Sequence, residues 1–226
     1  MAKPIFQLDT ESDEHWIATS DMMAGLMMVF LLIAVIYIHS FQKKAEAIED
    51  VSSNICNEIK RQFDKEKDEW SMSICENGLL VSFQNDAIFD RGKDELKPEF
   101  KVILDNFFPR FMKIVLNNEK DIDELRIEGH TSSEFTAQSE KMSYILNTQL
   151  SQKRSYNVMR YVFDLPIREN SIQWMRTNLT AHGMSSSNII KTQSGQEDPI
   201  KSRRVEFRLQ TNVQEKFIQE FKGLQP

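Results

Sequence analysis

The segment Ile17-Ala-Thr-Ser-Asp-Met-Met-Ala-Gly-Leu-Met-Met-Val-Phe-Leu-Leu-Ile-Ala-Val-Ile-Tyr-Ile-His39 divides the chain into two unlike parts. Asp21 is its only formal charge, and none occurs from Met22 to Ile38. A helix of these 23 residues is about 34 Å long, which exceeds the roughly 30 Å hydrocarbon core of a bilayer. The sequence therefore predicts one transmembrane helix over 17–39, and no later segment could form another.

The residues on either side of this segment indicate whether it is kept and how it is oriented. Before it, Lys3 stands against four acids at positions 9, 11, 13 and 14, whereas the leading region of a cleaved secretory signal is basic. We therefore predict a retained anchor behind an N-terminal tail, residues 1–16. Lys43 and Lys44 follow the segment, and by the positive-inside rule they favour a cytoplasmic location for that side.

Asp21 is the one acid inside the predicted span. A carboxylate at the centre of a bilayer costs about 2.5–3.5 kcal/mol, and it is usually retained for an ion pathway, a proton relay or a partner. Because Asp21 lies near the start of the span, it could instead cap the helix in the headgroup layer, next to Ser20. Gly25 lies one turn further on and would let a neighbouring helix approach the same face, which favours the functional interpretation.

The composition excludes several classes of protein. The 226 residues carry a formal charge of −6, with 27% charged and 40% hydrophobic residues, which fits one ordinary domain with attachments. The acidic balance argues against nucleic acid as a partner, because phosphate binding needs clustered basic residues. The sequence has no nucleotide-binding, hydrolase or metalloprotease motif, and its four histidines, at 15, 39, 130 and 182, lack metal-ligand spacing. We therefore predict no enzymatic activity, no cofactor and no bound metal.

A helical stalk is predicted between the span and the following domain, over residues 40–69. From Gln42 to Glu69 there is no Gly or Pro, and apolar residues recur at spacings of three and four, namely Ile48, Val51, Ile55, Ile59 and Phe63. This narrow stripe predicts an amphipathic helix. The stripe could pack on the following domain or on a second copy of the chain, and the spacing leaves both open.

The two cysteines lie close to this stalk, Cys56 within it and Cys75 just after it. In an oxidising compartment an even number of cysteines can pair, so a disulfide of Cys56 with Cys75, within one chain or between two, is one prediction. Two buried thiols are the alternative. Neither cysteine has the neighbouring His or the Cys-x-x-Cys spacing that would indicate catalysis.

Residues 70–212 are predicted to form one α+β domain, followed by a C-terminal tail at 213–226. Strands and helices alternate by their apolar spacing: a strand at 79–83, a helix at 98–116, a strand at 125–129, a helix at 139–163, and strands at 178–182 and 205–209. About four strands and two long helices bury enough apolar surface for an independent core.

Four segments within this domain carry a resemblance. They are Ala87-Ile-Phe-Asp-Arg-Gly-Lys-Asp-Glu-Leu-Lys-Pro98, Ile127-Glu-Gly-His-Thr131, Asn147-Thr-Gln-Leu-Ser-Gln-Lys-Arg154 with Val158, and Ser202-Arg-Arg-Val-Glu-Phe207. In this order they resemble the OmpA/MotB family of peptidoglycan-binding domains. The resemblance implies a β-α-β-α-β arrangement, with helices on one face of a mixed sheet, and non-covalent binding of the cell-wall peptide stem.

The resemblance also implies a binding site on the long second helix. Arg154 matches the family's binding arginine, and a guanidinium suits a ligand carboxylate. The same helix contributes Asn147, as a polar contact, and Ser151. Leu150 belongs to the same motif, and we expect it in the core.

Thr131 and Ser132 complete the predicted site at the end of a strand. The family carries an acid after Gly-His-Thr for the ammonium group of the ligand, and this chain has Ser132 there. Glu134 is a candidate substitute for that acid. Structural roles, fixing the strand-end loop and the last strand, are expected for His130, Thr131, Arg203 and Glu206.

The whole layout resembles MotB-like stator subunits, which have an acid near the start of one span, a helical stalk and a wall-binding domain. The span itself resembles the second subunits of Zorya-type antiphage motors. The resemblance implies that Asp21 carries a proton or a sodium ion. It also implies partners: a homodimer of this chain, surrounded by five copies of a larger MotA/ZorA-like membrane subunit, and peptidoglycan.

The same resemblance implies a location in the bacterial inner membrane, with the N-terminus in the cytoplasm and the C-terminal domain in the periplasm. This orientation is opposite to the one that the lysine count favours. Two alternatives remain open from the sequence: a flagellar stator subunit, and a single-span peptidoglycan anchor that conducts no ions.

Overall fold

The computed structural model describes residues 10–76, 78–134 and 139–212, so the predicted tail at 213–226 and the first part of the tail at 1–16 lie outside the described residues. The chain divides after Ala47 into two compact units. The elements are α1 Thr10–Phe63, β1 Met72–Ile74, β2 Leu80–Gln84, α2 Asn85–Ile88, α3 Pro98–Asn117, β3 Ile122–His130, α4 Glu140–Phe163, α5 Glu169–Asn178, β4 Leu179–Gly183, α6 Pro199–Ser202 and β5 Arg204–Thr211.

The N-terminal unit carries the predicted span on α1. Thr19–Lys43 is long and apolar enough to cross a membrane, with a mean hydropathy of 2.4, and no other helix among the described residues is. From Thr19 to His39 every side chain is exposed, and many of them are large and apolar. Apolar surface left in water costs about 25 cal/mol per Å². This segment therefore needs lipid or other apolar helices around it.

A five-stranded mixed sheet organises the C-terminal unit, in the order β1-β2-β5-β3-β4. β5 pairs antiparallel with both β2 and β3, and β3 pairs parallel with β4. A parallel pair requires a crossover, which α4 and α5 supply. The predicted α+β fold is confirmed. β1, α2 and α6 escaped prediction because, at three or four residues each, they are too short to show a periodic pattern. The ten-residue helix α5 also escaped prediction.

The two faces of the sheet differ in chemistry. Along β5, apolar residues that face the core alternate with charged residues on the other face, namely Val205, Phe207 and Leu209 against Arg204, Glu206 and Arg208. From α3, the rings of Phe107 and Phe108 lie 5.4 and 6.1 Å from the ring of Phe207. The helix therefore covers the apolar face, and the charged face lies on the side away from it.

The apolar spacing of α3 explains this packing. The helix begins at Pro98, a residue whose fixed φ and missing N–H suit the first helical position. Its buried residues recur every three or four positions and include Phe100, Leu104, Phe107, Phe111 and Val115. This face gives the core its aromatic cluster, in which Phe107 also contacts Phe83 of β2, with ring centres 5.0 Å apart.

The end of α1 packs on the domain of its own chain. Ile55, Ile59 and Phe63 are fully buried. The Phe63 ring lies 5.0 Å from that of Phe107, and the guanidinium of Arg110, also from α3, lies 4.6 Å from the centre of the Phe63 ring. From the sequence, the apolar stripe of the stalk could pack either on the domain or on a second copy of the chain. In the structure, these three residues of the stripe pack on the domain.

The chain turns back between α1 and β1. The helix ends at Phe63, before the predicted end at residue 69, because residues 64–71 form turns that return the chain to the sheet. Ser71 completes this reversal with a left-handed backbone, at φ 49°. Cys56 and Cys75 are joined across the turn by a disulfide, with Cα atoms 6.2 Å apart. This bond ties α1 to the end of β1.

We expect a fragment that starts at Ile48 to be more stable than one that starts at residue 70, because only the longer one keeps the buried end of α1. Within the longer fragment, Phe63→Ala should lower the free energy of unfolding by about 3–5 kcal/mol, the usual range for a buried Phe. Val102→Ala, at a position on α3 that is 60% exposed, should change it by less than about 0.5 kcal/mol. Urea unfolding followed by tryptophan fluorescence measures these changes. Equal stability of the two fragments would contradict the packing of α1 on the domain.

Candidate functional site

A cavity of about 800 Å³ opens where β3 ends, bordered by α2, the loop after α2 and α4. Four basic side chains (Arg91, Lys97, Arg154, Arg203), three acidic ones (Asp86, Asp90, Glu134), four polar ones (Asn85, Thr131, Ser132, Asn147) and Phe89, Gly92 and Leu150 line it. The structure therefore brings together five of the six residues predicted for the binding site. The excess of one positive charge suits a ligand with an anionic group.

Two glycines let α4 lie directly against the sheet. A Cβ on Gly129 would stand 2.4 Å from the carbonyl oxygen of Ser151, and a Cβ on Gly183 would stand 2.5 Å from the backbone nitrogen of Gln152. Any side chain at either position would push the helix away. The Ser151 Oγ also accepts a hydrogen bond from the backbone N–H of Ser185 at 3.0 Å. Ser151 thus holds the helix to the sheet and does not line the cavity.

The sequence predicted Leu150 in the core and Ser151 in the binding site, and the structure shows the reverse. Leu150, expected in the core, is half buried and lines the cavity, whereas Ser151 is fully buried against the sheet. Neighbouring residues on a helix point about 100° apart, so only one of them can face the sheet. The close approach at Gly129 leaves room there for a serine.

Arg154 is the buried cation of the cavity, with 3% of its surface exposed. Its Nε donates a hydrogen bond to the carbonyl oxygen of Lys93 at 2.9 Å, and its guanidinium lies 4.9 Å from the centre of the Phe89 ring. Burial lowers the pKa of Arg154 to about 10; the charge of Asp94 opposes this shift and that of Arg203 adds to it. The group is still cationic at neutral pH. Among the described residues its two Nη nitrogens have no hydrogen-bond partner, so they are available for a carboxylate.

Uncharged polar groups occupy the rest of the wall near the strand end. The Asn147 Nδ2 donates to the carbonyl oxygen of Ser132 at 3.4 Å, which links α4 to the residues after β3. Thr131 Oγ1 and Asn85 Oδ1 are buried, and neither has a hydrogen-bond partner in the part of the chain that the structure describes. An unpaired buried polar atom costs about 1–3 kcal/mol.

Glu134, the candidate substitute for the missing acid, is already paired. Arg203 Nη1 donates to Glu134 Oε2 at 2.5 Å and to Ser132 Oγ at 3.4 Å. Arg203, for which the sequence suggested a structural role in the last strand, thus lies just before β5 and lines the cavity. Its guanidinium balances the charge of Glu134 before any ligand binds.

Sequence reasoning missed the side of the cavity that α2 forms. Asn85 and Asp86 begin this four-residue helix directly after β2, and Lys97 reaches back to it, with its Nζ donating to the Asp86 carbonyl oxygen at 2.7 Å. No periodic pattern marks so short a helix. Only their place in the sequence could have indicated these two residues, because they immediately precede the first segment of the family resemblance, at 87–98.

A second polar cluster lies on the charged face of the sheet. Glu128, His130 and Glu206 bring their ligand atoms within 4.8 Å of one another, as a metal site would. However, Arg208 bonds both carboxylates, with its Nε 3.0 Å from Glu128 Oε2 and its Nη2 on Glu206 Oε2, and the Arg204 Nε bonds Glu206 Oε1 at 2.5 Å. Two arginines therefore balance two carboxylates, and a divalent cation would meet their positive charge. The cluster is better described as a buried ion-pair network.

Asp21, the predicted ion carrier, belongs to the N-terminal unit. It is the third residue of the span Thr19–Lys43, and its side chain is exposed. Gly25 lies one turn later, and a Cβ placed on it would meet nothing within 4 Å. This face of the helix therefore has room for the close approach of another helix.

The C-terminal domain matches a known family. The family model described as "OmpA family" matches residues 88–208, more than half of the chain, and the chain therefore belongs to that family. The solved structure of a putative MotB like protein from Desulfovibrio vulgaris is similar to this fold, with a TM-score of 0.50 and 21% identity over 74% of this chain and 98% of that one. For the periplasmic domain of Helicobacter pylori MotB the TM-score is 0.44, with 18% identity over 69% and 92%.

One relative matches nearly the full length. Zorya protein ZorB of Escherichia coli (strain Crooks) is 40% identical to this chain, in an alignment that covers 93% of this chain and 94% of that protein. The chain is thus a homologue of ZorB, and the resemblance to Zorya-type subunits seen in the sequence is confirmed.

We expect acid to destabilise the domain in part through Glu128. Burial raises the pKa of Glu128, but the adjacent His130 ring and the Arg208 charge together outweigh burial, so the pKa lies below its ordinary value of 4.5. A carboxyl group whose pKa is lower in the folded state stabilises the fold above about pH 4.5, and this contribution is lost as the pH falls further.

Arg208→Gln should therefore move the midpoint of acid unfolding to higher pH, as followed by tryptophan fluorescence. Arg160→Gln, on the exposed side of α4, removes the same type of charge and should leave the midpoint unchanged. The same midpoint in Arg208→Gln and the wild type would show that the network does not hold Glu128 ionised.

Proposed function

We propose that this chain is the ion-conducting stator subunit of a membrane-embedded, ion-driven motor, anchored to peptidoglycan and serving antiphage defence of the Zorya type. The observation that supports this most strongly is the 40% identity to ZorB over 93% of the chain. A relation over that length extends to both the apolar helix and the domain with the cavity. The proposed role is mechanical rather than enzymatic.

Anchoring to peptidoglycan is supported by the chemistry of the cavity. Arg154 offers two unoccupied Nη nitrogens in a fixed geometry, and the peptide stem of peptidoglycan carries carboxylates that such a fork binds well. At about 800 Å³, the cavity has the size of a site for a small ligand. Thr131 and Asn147 would then contribute polar contacts, and Leu150 would contribute an apolar one.

Ion conduction is supported by Asp21 and by what surrounds it. A carboxyl group inside a span can take up and release a cation, and it is expensive to keep there without such a use. A single helix encloses no path, so Asp21 needs helices from partners to shield it from lipid. We infer a homodimer of this chain within five copies of a larger MotA/ZorA-like subunit, with a proton or a sodium ion as the cargo.

The proposed orientation places the N-terminus in the cytoplasm and the C-terminal domain in the periplasm. Lys43 and Lys44 favour the opposite orientation by the positive-inside rule. The pairing of Cys56 with Cys75 supports the orientation that we propose, because stable disulfides form in the periplasm and are rare in the cytosol. We propose that this bond forms in the cell and holds the stalk on its domain.

Replacement of Arg154 tests the anchoring site. Arg154→Ala should weaken co-sedimentation of the full chain, in detergent, with isolated peptidoglycan by about tenfold or more, because it removes a charge-assisted pair. Arg154→Lys keeps the charge but loses the fork, and should bind less well than the wild type. Arg160→Ala, an exposed arginine on the same helix, is the matched control. Undiminished sedimentation of Arg154→Ala with an unchanged melting temperature would place wall binding elsewhere.

Replacement of Asp21 tests ion conduction. Asp21→Asn keeps the size and hydrogen bonding of the side chain but cannot exchange a proton, so it should abolish phage protection in cells that express the complete system. The amount of protein in the membrane should not change, and Ser20→Ala, next to it, should protect as the wild type does. Full protection by Asp21→Asn would contradict ion conduction and favour the alternative of a peptidoglycan anchor that conducts no ions. If the wild-type chain restored motility to a stator-deficient strain and gave no phage protection, the flagellar alternative would be favoured.

A further inference from the structure

The last strand ends beside the junction of α3 with the end of α1. Asn212 follows β5, and its backbone N–H and its Nδ2 donate to the carbonyl oxygens of Asp121 and Lys120, each at 3.2 Å. The Asp121 N–H in turn donates to the carbonyl oxygen of Asn118 at 2.9 Å. The Asn118 Nδ2 donates to Glu58 Oε2, on α1, at 3.0 Å. The chain beyond Asn212 therefore starts close to α1.

Apolar side chains at this junction are only partly covered by the residues that the structure describes. The apolar stripe on α1 is fully buried from Ile55 onward, whereas Val51, about one turn earlier, is only partly buried. Leu116, in the last turn of α3, is partly buried as well. By the spacing of the stripe, Ile48 is the next apolar residue before Val51. An apolar partner along this side of α1 would remove further apolar surface from water.

The sequence after Asn212 has the pattern of a short amphipathic helix. Apolar residues recur there at spacings of four, four and three, as on one helical face, namely Val213, Phe217, Phe221 and Leu224. Glu215 falls in the first turn and Lys222 in the last, where their charges suit the helix dipole. Gly223 follows, and glycine is the residue at which helices commonly end. The pattern therefore predicts a helix over 213–222.

Asn212 is suited to begin this helix. Asparagine is among the preferred N-cap residues, because its side-chain oxygen accepts a hydrogen bond from one of the first N–H groups of a helix, which lack partners within it. The Asn212 Oδ1 is buried and has no hydrogen-bond partner among the residues described. Its Nδ2 is bonded to Lys120, so the oxygen has a fixed direction. A helix that began at Val213 would bring it a donor.

We propose that residues 213–222 form a helix that packs along α1 of the same chain, with its apolar face over Val51 and Ile48. Such a helix is about 15 Å long, which equals the length of α1 from Glu58 back to Ile48. The folded unit would thereby extend by about two turns of α1 beyond Ile55. The proposal concerns the stalk and does not rest on the binding of peptidoglycan.

Two further observations favour α1 of the same chain as the partner. Because the segment starts beside α1, its effective concentration there is of about millimolar order, which a separate molecule rarely reaches. The charges also match. Residues 45–59 of α1 include four acids and no basic residue, and the segment offers Lys216 and Lys222 to them.

Pairs of introduced cysteines in the full chain, in detergent, test the contact. Val51→Cys combined with Phe217→Cys should form a disulfide within one chain on mild oxidation, identified by mass spectrometry of the unreduced peptides. Ser53→Cys combined with Phe217→Cys is the matched control and should not form one, because Ser53 is exposed and lies about 200° around α1 from Val51. A covalent dimer formed by the first pair would overturn the proposal and assign this surface to a second copy.

Hydrogen exchange followed by mass spectrometry tests the cover that the segment provides. Removal of residues 213–226 should speed amide exchange over 48–54 by about tenfold or more, because this part of α1 loses its apolar partner. Phe217→Ser with Phe221→Ser, in the full-length chain, should have the same effect. Gln219→Ser, on the opposite side of the predicted helix, should leave the exchange unchanged.

Two results of the exchange experiment would overturn the proposal. Amides over 213–222 that exchange as fast as those of an unstructured peptide would show that no helix forms there. Protected amides over 213–222, together with unchanged exchange over 48–54 after truncation, would show that the helix covers another surface. The proposed binding of peptidoglycan through Arg154 would stand in either case, because it depends on the other side of the domain's sequence and is measured separately.

Discussion

The backbone contact between α4 and the strands β3 and β4 positions the rest of the candidate site. It exists because Gly129 and Gly183 lack a Cβ, which would stand 2.4 and 2.5 Å from backbone atoms of α4. Close packing of this kind leaves no tolerance for a side chain, whereas a contact between side chains can adjust. Asn147 and Arg154 on the helix therefore keep a fixed distance from Thr131 and Ser132 at the strand end, and the cavity between them has a defined shape.

A second constraint comes from the end of α1, which acts as part of the core of the C-terminal unit. Burial of Ile55, Ile59 and Phe63 against α3 means that the stalk helix and the domain are stabilised together. The disulfide between Cys56 and Cys75 crosses the same junction and restricts the unfolded chain. The residues of the stripe that are buried here are not available for contact with a second copy, so any dimer contact has to use other residues.

The sequence predicts the long elements well and the site only in part. α3 carries strong apolar periodicity over its 20 residues, and local pattern decides such an element. In α4 the pattern is weaker, because four of its six buried residues are polar or charged. The motif residues on α4 were found by resemblance, but the roles of Leu150 and Ser151 depended on which side of the helix meets the sheet. That is a tertiary property, set by Gly129. The side of the cavity formed by Asn85 and Asp86 could not be found from pattern, because α2 is a four-residue helix.

The charges in the cavity also explain why a serine can stand where related domains carry an acid. Ser132 Oγ lies 3.4 Å from the Nη1 of Arg203, so an acid at this position would pair with that arginine, as Glu134 does at 2.5 Å. Such an acid would lose most of its attraction for a ligand ammonium group, because its charge would be balanced at close range. With Glu134 bonded to Arg203, a neutral residue at 132 leaves no uncompensated charge at the strand end.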